Sequence, residues 1–123
     1  MNALNMARTA YTKSAAPIRT HRGTEYDAFA RITHQLKTVD RETHFSAFAG
    51  ALHENRKLWN ILAIDVADNA NGLSKDLRAQ IFYLAEFTSL HTSKVLVGAS
   101  DASALVEINT AIMSGLRQTG DIR

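Results

Sequence analysis

The chain has 123 residues, 46% apolar and 21% charged, with a formal charge of +2, which reads as one globular domain large enough to bury a core unaided. It has no cysteine, which excludes a disulfide framework, thiolate zinc sites and cysteine nucleophiles. No apolar run approaches the ~18 residues needed to span a bilayer, and the small net charge gives no general argument for nucleic acid.

Charge is unevenly placed. Residues 1–22 carry Arg8, Lys13, Arg19 and Arg22 and no acid, a composition like a mitochondrial transit peptide. The simpler reading is a short amphipathic helix on the stripe Leu4, Ala7, Tyr11 and Ala15, ending at Ala16–Pro17 because proline disfavours helix at the residue before it. A loop Ile18–Gly23 is expected next, so residues 1–23 read as a short helix and loop of a single domain 1–123. Thr24 with Asp27 resembles a capping box, and a helix from Glu25 to Thr38 buries Tyr26, Phe29, Ile32 and Leu36.

Asp40–Glu42 is a polar break. A long helix from Thr43 carries Phe45, Phe48, Leu52, Trp59, Leu62 and Val66 on one side and stops in the turn Ala67–Gly72, where Asp, Asn and Gly cluster. The stretch from Ser74 to Gly98 is the centre of the pattern. Ser74 is a good N-cap, Asp76 sits in the first turn and Gly98 suits the left-handed residue after a helix end. Its stripe Leu77, Ile81, Leu84, Thr88, His91, Thr92 and Val95 faces a core. Phe82, Tyr83, Glu86, Leu90 and Val97 fall on the other side and are the candidate partner-binding residues, with Ile61 and Ile64 on the outer side of the preceding helix. The short first helix is the one element left over to cover that side.

Ser100 or Asp101 caps a last helix with Leu105, Ile108, Asn109, Ile112 and Leu116 on one stripe and a frayed tail at 118–123. No segment alternates with period two, so the expected fold is all-α: four substantial helices, antiparallel through short loops, plus the short N-terminal one.

The polar residues point to structure before chemistry. His21, His34, His44, His53 and His91 are never three or four apart, so no helix offers a ready pair of metal ligands, and His53-Glu54 lacks the second histidine of a zinc-protease motif. His91 is expected to be buried and bonded to a neighbour, with the last helix as the source. Asn55 and Asn109 interrupt apolar stripes as buried amides that set helix register. Arg78 and Asp65 could pair across a turn. Paired catalytic carboxylates, a phosphate-binding glycine loop and a nucleophile elbow are all missing, so no catalytic residue, cofactor or metal site is expected.

Three strings carry a family resemblance: Thr24–Leu36 (TEYDAFARITHQL), Asn55–Leu96 (NRKLWNILAIDVADNANGLSKDLRAQIFYLAEFTSLHTSKVL) and Leu105–Leu116 (LVEINTAIMSGL). Their order and spacing resemble the flagellar biosynthesis regulator FlaF family of alphaproteobacteria. The most specific pieces are Asn55 with Leu58-Trp59, the segment Leu77–Ile81 with Arg78 and Gln80, His91-Thr92, and Glu107–Asn109 with Ile112–Leu116. Ser74 and Thr110 depart from the family pattern, which commonly has Pro and Arg there. The resemblance implies a small cytoplasmic, non-enzymatic helical protein without a cofactor. It also implies a role in flagellum assembly, with flagellin as a bound partner and FlbT, a regulator of flagellin mRNA translation, as a further one. Direct binding of flagellin mRNA is the alternative reading, carried by the basic N-terminal segment alone.

Overall fold

A computed structural model describes the backbone of residues 15–122 and the side chains of residues 26–115. The elements are α1 (Ala15–Thr38), α2 (Phe45–Ala67), α3 (Lys75–Leu96) and α4 (Ser103–Ile122), and no strand occurs among the described residues. The short helix expected on Leu4, Ala7 and Tyr11, and its use as a cover for α3, lie outside the described residues.

The expected break at Ala16–Pro17 and loop Ile18–Gly23 are replaced by helix, because α1 runs unbroken from Ala15 through both. Pro17 is carried within helical backbone, with which its fixed φ is compatible. Thr24 is therefore an interior helical residue and not a cap.

The connections are built by side chains that satisfy backbone ends. Asp40 Oδ1 accepts the Glu42 amide at 2.8 Å before α2. After α2, Asp68 Oδ1 accepts from Ala70 N and Asn71 Oδ1 from Leu73 N, each at 2.9 Å, two successive Asx turns. Ser74 Oγ accepts the Leu77 amide at 3.2 Å and caps α3. α3 closes in a Schellman motif, with Ala99 N on the Lys94 carbonyl at 2.9 Å and Gly98 N on the Val95 carbonyl at 3.1 Å. Gly98 takes φ 82°, a left-handed value that costs a residue with a Cβ ~1 kcal/mol or more.

The four helices run up-down-up-down, each packed on its sequence neighbours, with α4 returning against α1. Of these neighbouring pairs, α3 and α4 touch least. The core lies in two apolar layers. One joins Phe29, Trp59, Leu62, Val66, Ile81, Ala85 and Ile112, with Leu84 half-buried at its edge. The other joins Ile32, Leu36, Phe48, Ala51, Leu52, Val95, Ala102 and Leu105. Tyr26 and Leu84 are half-buried and Phe45 is exposed, so the buried stripes are narrower than periodicity implied.

Trp59 is fully buried and meets Phe29 edge to face, with centroids 5.6 Å apart at 74°. Trp59→Ala leaves a large void where three helices meet and should cost about 3–5 kcal/mol. The check is thermal melting followed by circular dichroism, and an unchanged melting curve would refute the packing described.

Candidate partner surface

Between the apolar layers lies a belt of buried polar side chains. Thr33, Asn55, Thr88, Thr92 and Asn109 are all fully or almost fully buried. Asn109 is its hub. Its Oδ1 accepts the Trp59 indole N–H at 2.8 Å. Its Nδ2 donates to Asn55 Oδ1 at 2.7 Å and to Thr33 Oγ1 at 3.0 Å. One amide therefore ties α4 to α1 and α2. Toward α3 the belt is incomplete: Asn55 Nδ2 and Thr88 Oγ1 have no partner, and Thr92 Oγ1 donates along its own helix to the Thr88 carbonyl at 2.6 Å.

α3 is held at its flank by arginines. Arg56 of α2 donates to Ser93 Oγ at 3.3 Å and to the Ser89 carbonyl at 3.5 Å. Arg78 donates from Nε to the Val66 carbonyl at 2.8 Å, so it bridges the α2–α3 turn through a backbone oxygen at the end of α2, where a cation is favoured. Arg41, which sequence reasoning passed over, does the same at the far end. Its Nη atoms donate to the Val95 and Leu96 carbonyls at 2.6 and 3.2 Å. Its guanidinium also lies over the Phe45 and Phe48 rings, 5.0 and 5.7 Å from their centroids. The available signal was an arginine in a polar break beside two phenylalanines. Arg41, Lys37, Asp101 and Glu107 rim a cleft of about 640 Å³ over Leu36, Phe48, Val95 and Val106.

His91 is half-buried and stacks on Phe87 at 5.3 Å between centroids. Its Nε2 lies 3.1 Å from the Asp101 carbonyl and 3.4 Å from Ser100 Oγ. The partner comes from the α3–α4 turn and not from α4, because His91 sits on the flank of α3 while the inward position of that turn is taken by Thr88 and Thr92.

The candidate partner residues separate by face. Tyr83, Leu90 and Val97 are 66%, 70% and 79% exposed, and with exposed Glu86 they form the outer side of α3. Phe82 is exposed one turn after Arg78, so it lies on the flank nearer α2. Ile61 and Ile64 are exposed on α2, but both lie away from the flank by which Arg56 reaches α3, so they do not extend this strip. Gln80 lines a shallow apolar depression with Ala79, Tyr83 and Leu84.

Among the described residues no group of three or more His, Asp or Glu could hold a metal. No described helix is long and apolar enough to cross a membrane.

The fold and these side chains define a small antiparallel four-helix bundle with a buried polar network centred on Asn109 and a third helix that carries an exposed apolar side. The sequence matches the family model described as "Flagellar protein FlaF" over residues 7–116, and the chain belongs to that family. Comparison with curated proteins and with solved structures gives no match.

Asn109→Leu would strand the Trp59 N–H, the Asn55 carbonyl and the Thr33 hydroxyl in the core. Each group left so costs about 1–3 kcal/mol, so urea unfolding should show a loss of at least about 3 kcal/mol. A neutral result would mean that the belt does not fix the bundle. Asp101 supplies a pH dependence. Hydrogen bonds to its carboxylate from the Ser103 hydroxyl at 2.6 Å and the Ser103 amide at 3.0 Å lower its pKa, with His91 nearby adding to the effect. A depressed folded-state pKa gives stability that is present above the unfolded carboxylate value and lost as pH falls through the folded one. Urea midpoints compared at pH about 6 and about 3 should therefore drop more for wild type than for Asp101→Asn; equal drops would remove this role.

Proposed function

We propose that this chain is a non-enzymatic flagellum assembly factor that binds flagellin and thereby regulates its synthesis and secretion. The reading starts from membership of the flagellar family. The observation that carries it to binding is the outer side of α3, where Tyr83, Leu90 and Val97 stay exposed on a helix whose other side is fixed in the core. Scattered surface apolars are ordinary, but three in register along one helix match the way an amphipathic helix is recognised. Flagellin termini are amphipathic helices that need a partner before assembly. FlbT is a second candidate partner, and a cytoplasmic location fits a protein that meets flagellin before export. The RNA-binding alternative draws on the basic N-terminal segment alone.

The test is capture of purified flagellin by the full chain, wild type against Leu90→Asp. Leu90 is largely exposed, so the variant should keep its circular dichroism and melting temperature while losing tenfold or more in affinity. Flagellin that binds both proteins equally would move the site elsewhere, and flagellin that binds neither would end the proposal.

A further inference from the structure

The asparagines differ in what the chain places after them. A main-chain nitrogen attacks the side-chain amide of the residue before it, closing a succinimide ring, where its N–H is free and open to base. Asn55, Asn60 and Asn109 lie inside α2 and α4, where the following N–H is bonded up the helix. Asn69 is followed by Ala70, whose N–H is held by Asp68 Oδ1 at 2.9 Å. Asn71 is followed by Gly72, which is exposed and outside any helix. No described group accepts the Gly72 N–H. Asn71 is also the one asparagine of the chain with glycine after it, so no Cβ obstructs the approach.

The turn also prepares the atom that is attacked. Asn71 Oδ1 accepts the Leu73 N–H at 2.9 Å, and Oδ1 is where negative charge gathers when nitrogen adds to Cγ. A fixed donor at that oxygen stabilises the tetrahedral intermediate as an oxyanion hole does. Nδ2, the leaving group, donates to the Asp65 carbonyl at 3.3 Å.

We propose that Asn71 is a site of spontaneous deamidation, and that the reaction loosens the α2–α3 turn. Hydroxide takes the Gly72 amide proton and becomes water. The nitrogen bonds to Asn71 Cγ and the Cγ–Nδ2 bond breaks. The departing nitrogen takes a proton from water and leaves as ammonia, which restores hydroxide. One water then opens the imide. Cleavage between Gly72 N and Cγ yields aspartate, and cleavage between Gly72 N and the main-chain carbonyl carbon of residue 71 yields isoaspartate. The new carboxyl releases its proton, and nothing is oxidised or reduced.

Either product takes the Nδ2 donor from the Asp65 carbonyl at the end of α2 and puts a carboxylate there, where the helix dipole disfavours negative charge. One added carboxylate lowers the formal charge from +2 to +1. Isoaspartate also lengthens the main chain by one methylene, about 1.5 Å, and turns the acceptor of the Leu73 amide into a main-chain carbonyl. The site makes no use of the exposed side of α3 and stands whatever binds there.

The test follows the full chain at pH about 7 and about 9, folded in buffer and unfolded in urea. Isoaspartate is read by enzymatic methyl labelling and located by peptide mass spectrometry. Label should appear at residue 71 before any other asparagine. Its rate should rise about tenfold per pH unit, as the anion of a weak acid does far below its pKa. The folded chain should react within about tenfold of the unfolded one. Gly72→Ala should slow the reaction about tenfold or more in buffer and in urea alike, so a folding defect in that variant does not decide the result. The modified fraction, separated by ion exchange on its altered charge, should melt below the unmodified one. A folded chain still unlabelled after the unfolded chain has reacted, or a first label at another asparagine, would overturn the site. So would a rate indifferent to pH, or a Gly72→Ala rate equal to wild type. Equal melting of the two fractions would overturn the effect on the turn.

Discussion

The bundle depends on one side chain being fully satisfied in the middle of an apolar core. Asn109 receives the Trp59 indole N–H and gives both amide protons away, to Asn55 and Thr33. Apolar layers tolerate sliding, since one leucine contact resembles the next, whereas four polar groups pair in one arrangement only. The belt converts an approximate fit of α1, α2 and α4 into a single register. It also explains why so large a residue as Trp59 can be wholly enclosed: its one polar atom has an acceptor at 2.8 Å.

α3 joins this arrangement on other terms. Among the described residues no belt side chain of α1, α2 or α4 bonds to it, and the two unpartnered polar atoms, Asn55 Nδ2 and Thr88 Oγ1, belong to α2 and α3. What places α3 is apolar contact plus arginines gripping backbone carbonyls at its C-terminal end and at the end of α2. Arginine suits this because its planar fork meets two carbonyls at once and needs no counter-charge to be properly bonded. The helix is thus fixed from one side, and its opposite side remains available.

Much of this was legible in the sequence because the signals were local. Ser74, Gly98 and the DNANG turn mark their boundaries through capping and turn chemistry, and the inner stripe of α3 follows from spacing. Asn55 and Asn109 announced a buried amide pair by interrupting apolar stripes. The misreadings came where a local signal has two meanings. Proline can end a helix or be accommodated in one, and only the continuation of α1 beyond Pro17 decides between them. Phe45 shares the spacing of buried neighbours but lies at a helix end, where it stacks on Arg41 instead of entering the core. The partners of Arg41 are more than fifty residues away, a relation no periodicity can contain. Spacing puts His91 on the right helix but does not find its partner, the Asp101 carbonyl, because one position on a helix faces both the next helix and the turn that leads to it.

The Arg41 contact sets unequal tolerances for the two loops it spans. Between α1 and α2 the chain must deliver a guanidinium to the last carbonyls of α3, so an insertion between Thr38 and Arg41 would shift the arginine out of reach and take its hydrogen bonds from the Val95 and Leu96 carbonyls, leaving Val95 O to the Gly98 amide. Gly98 is constrained by its backbone alone, at φ 82°, since a Cβ there would make only an ordinary 3.5 Å contact with Arg41 Nη2. The α2–α3 turn closes mainly on its own Asx bonds, with Arg78 donating across it to the Val66 carbonyl. Length variation among homologous chains should therefore concentrate at residues 69–72 and be scarce at 39–41. That asymmetry would be visible in an alignment without any structure.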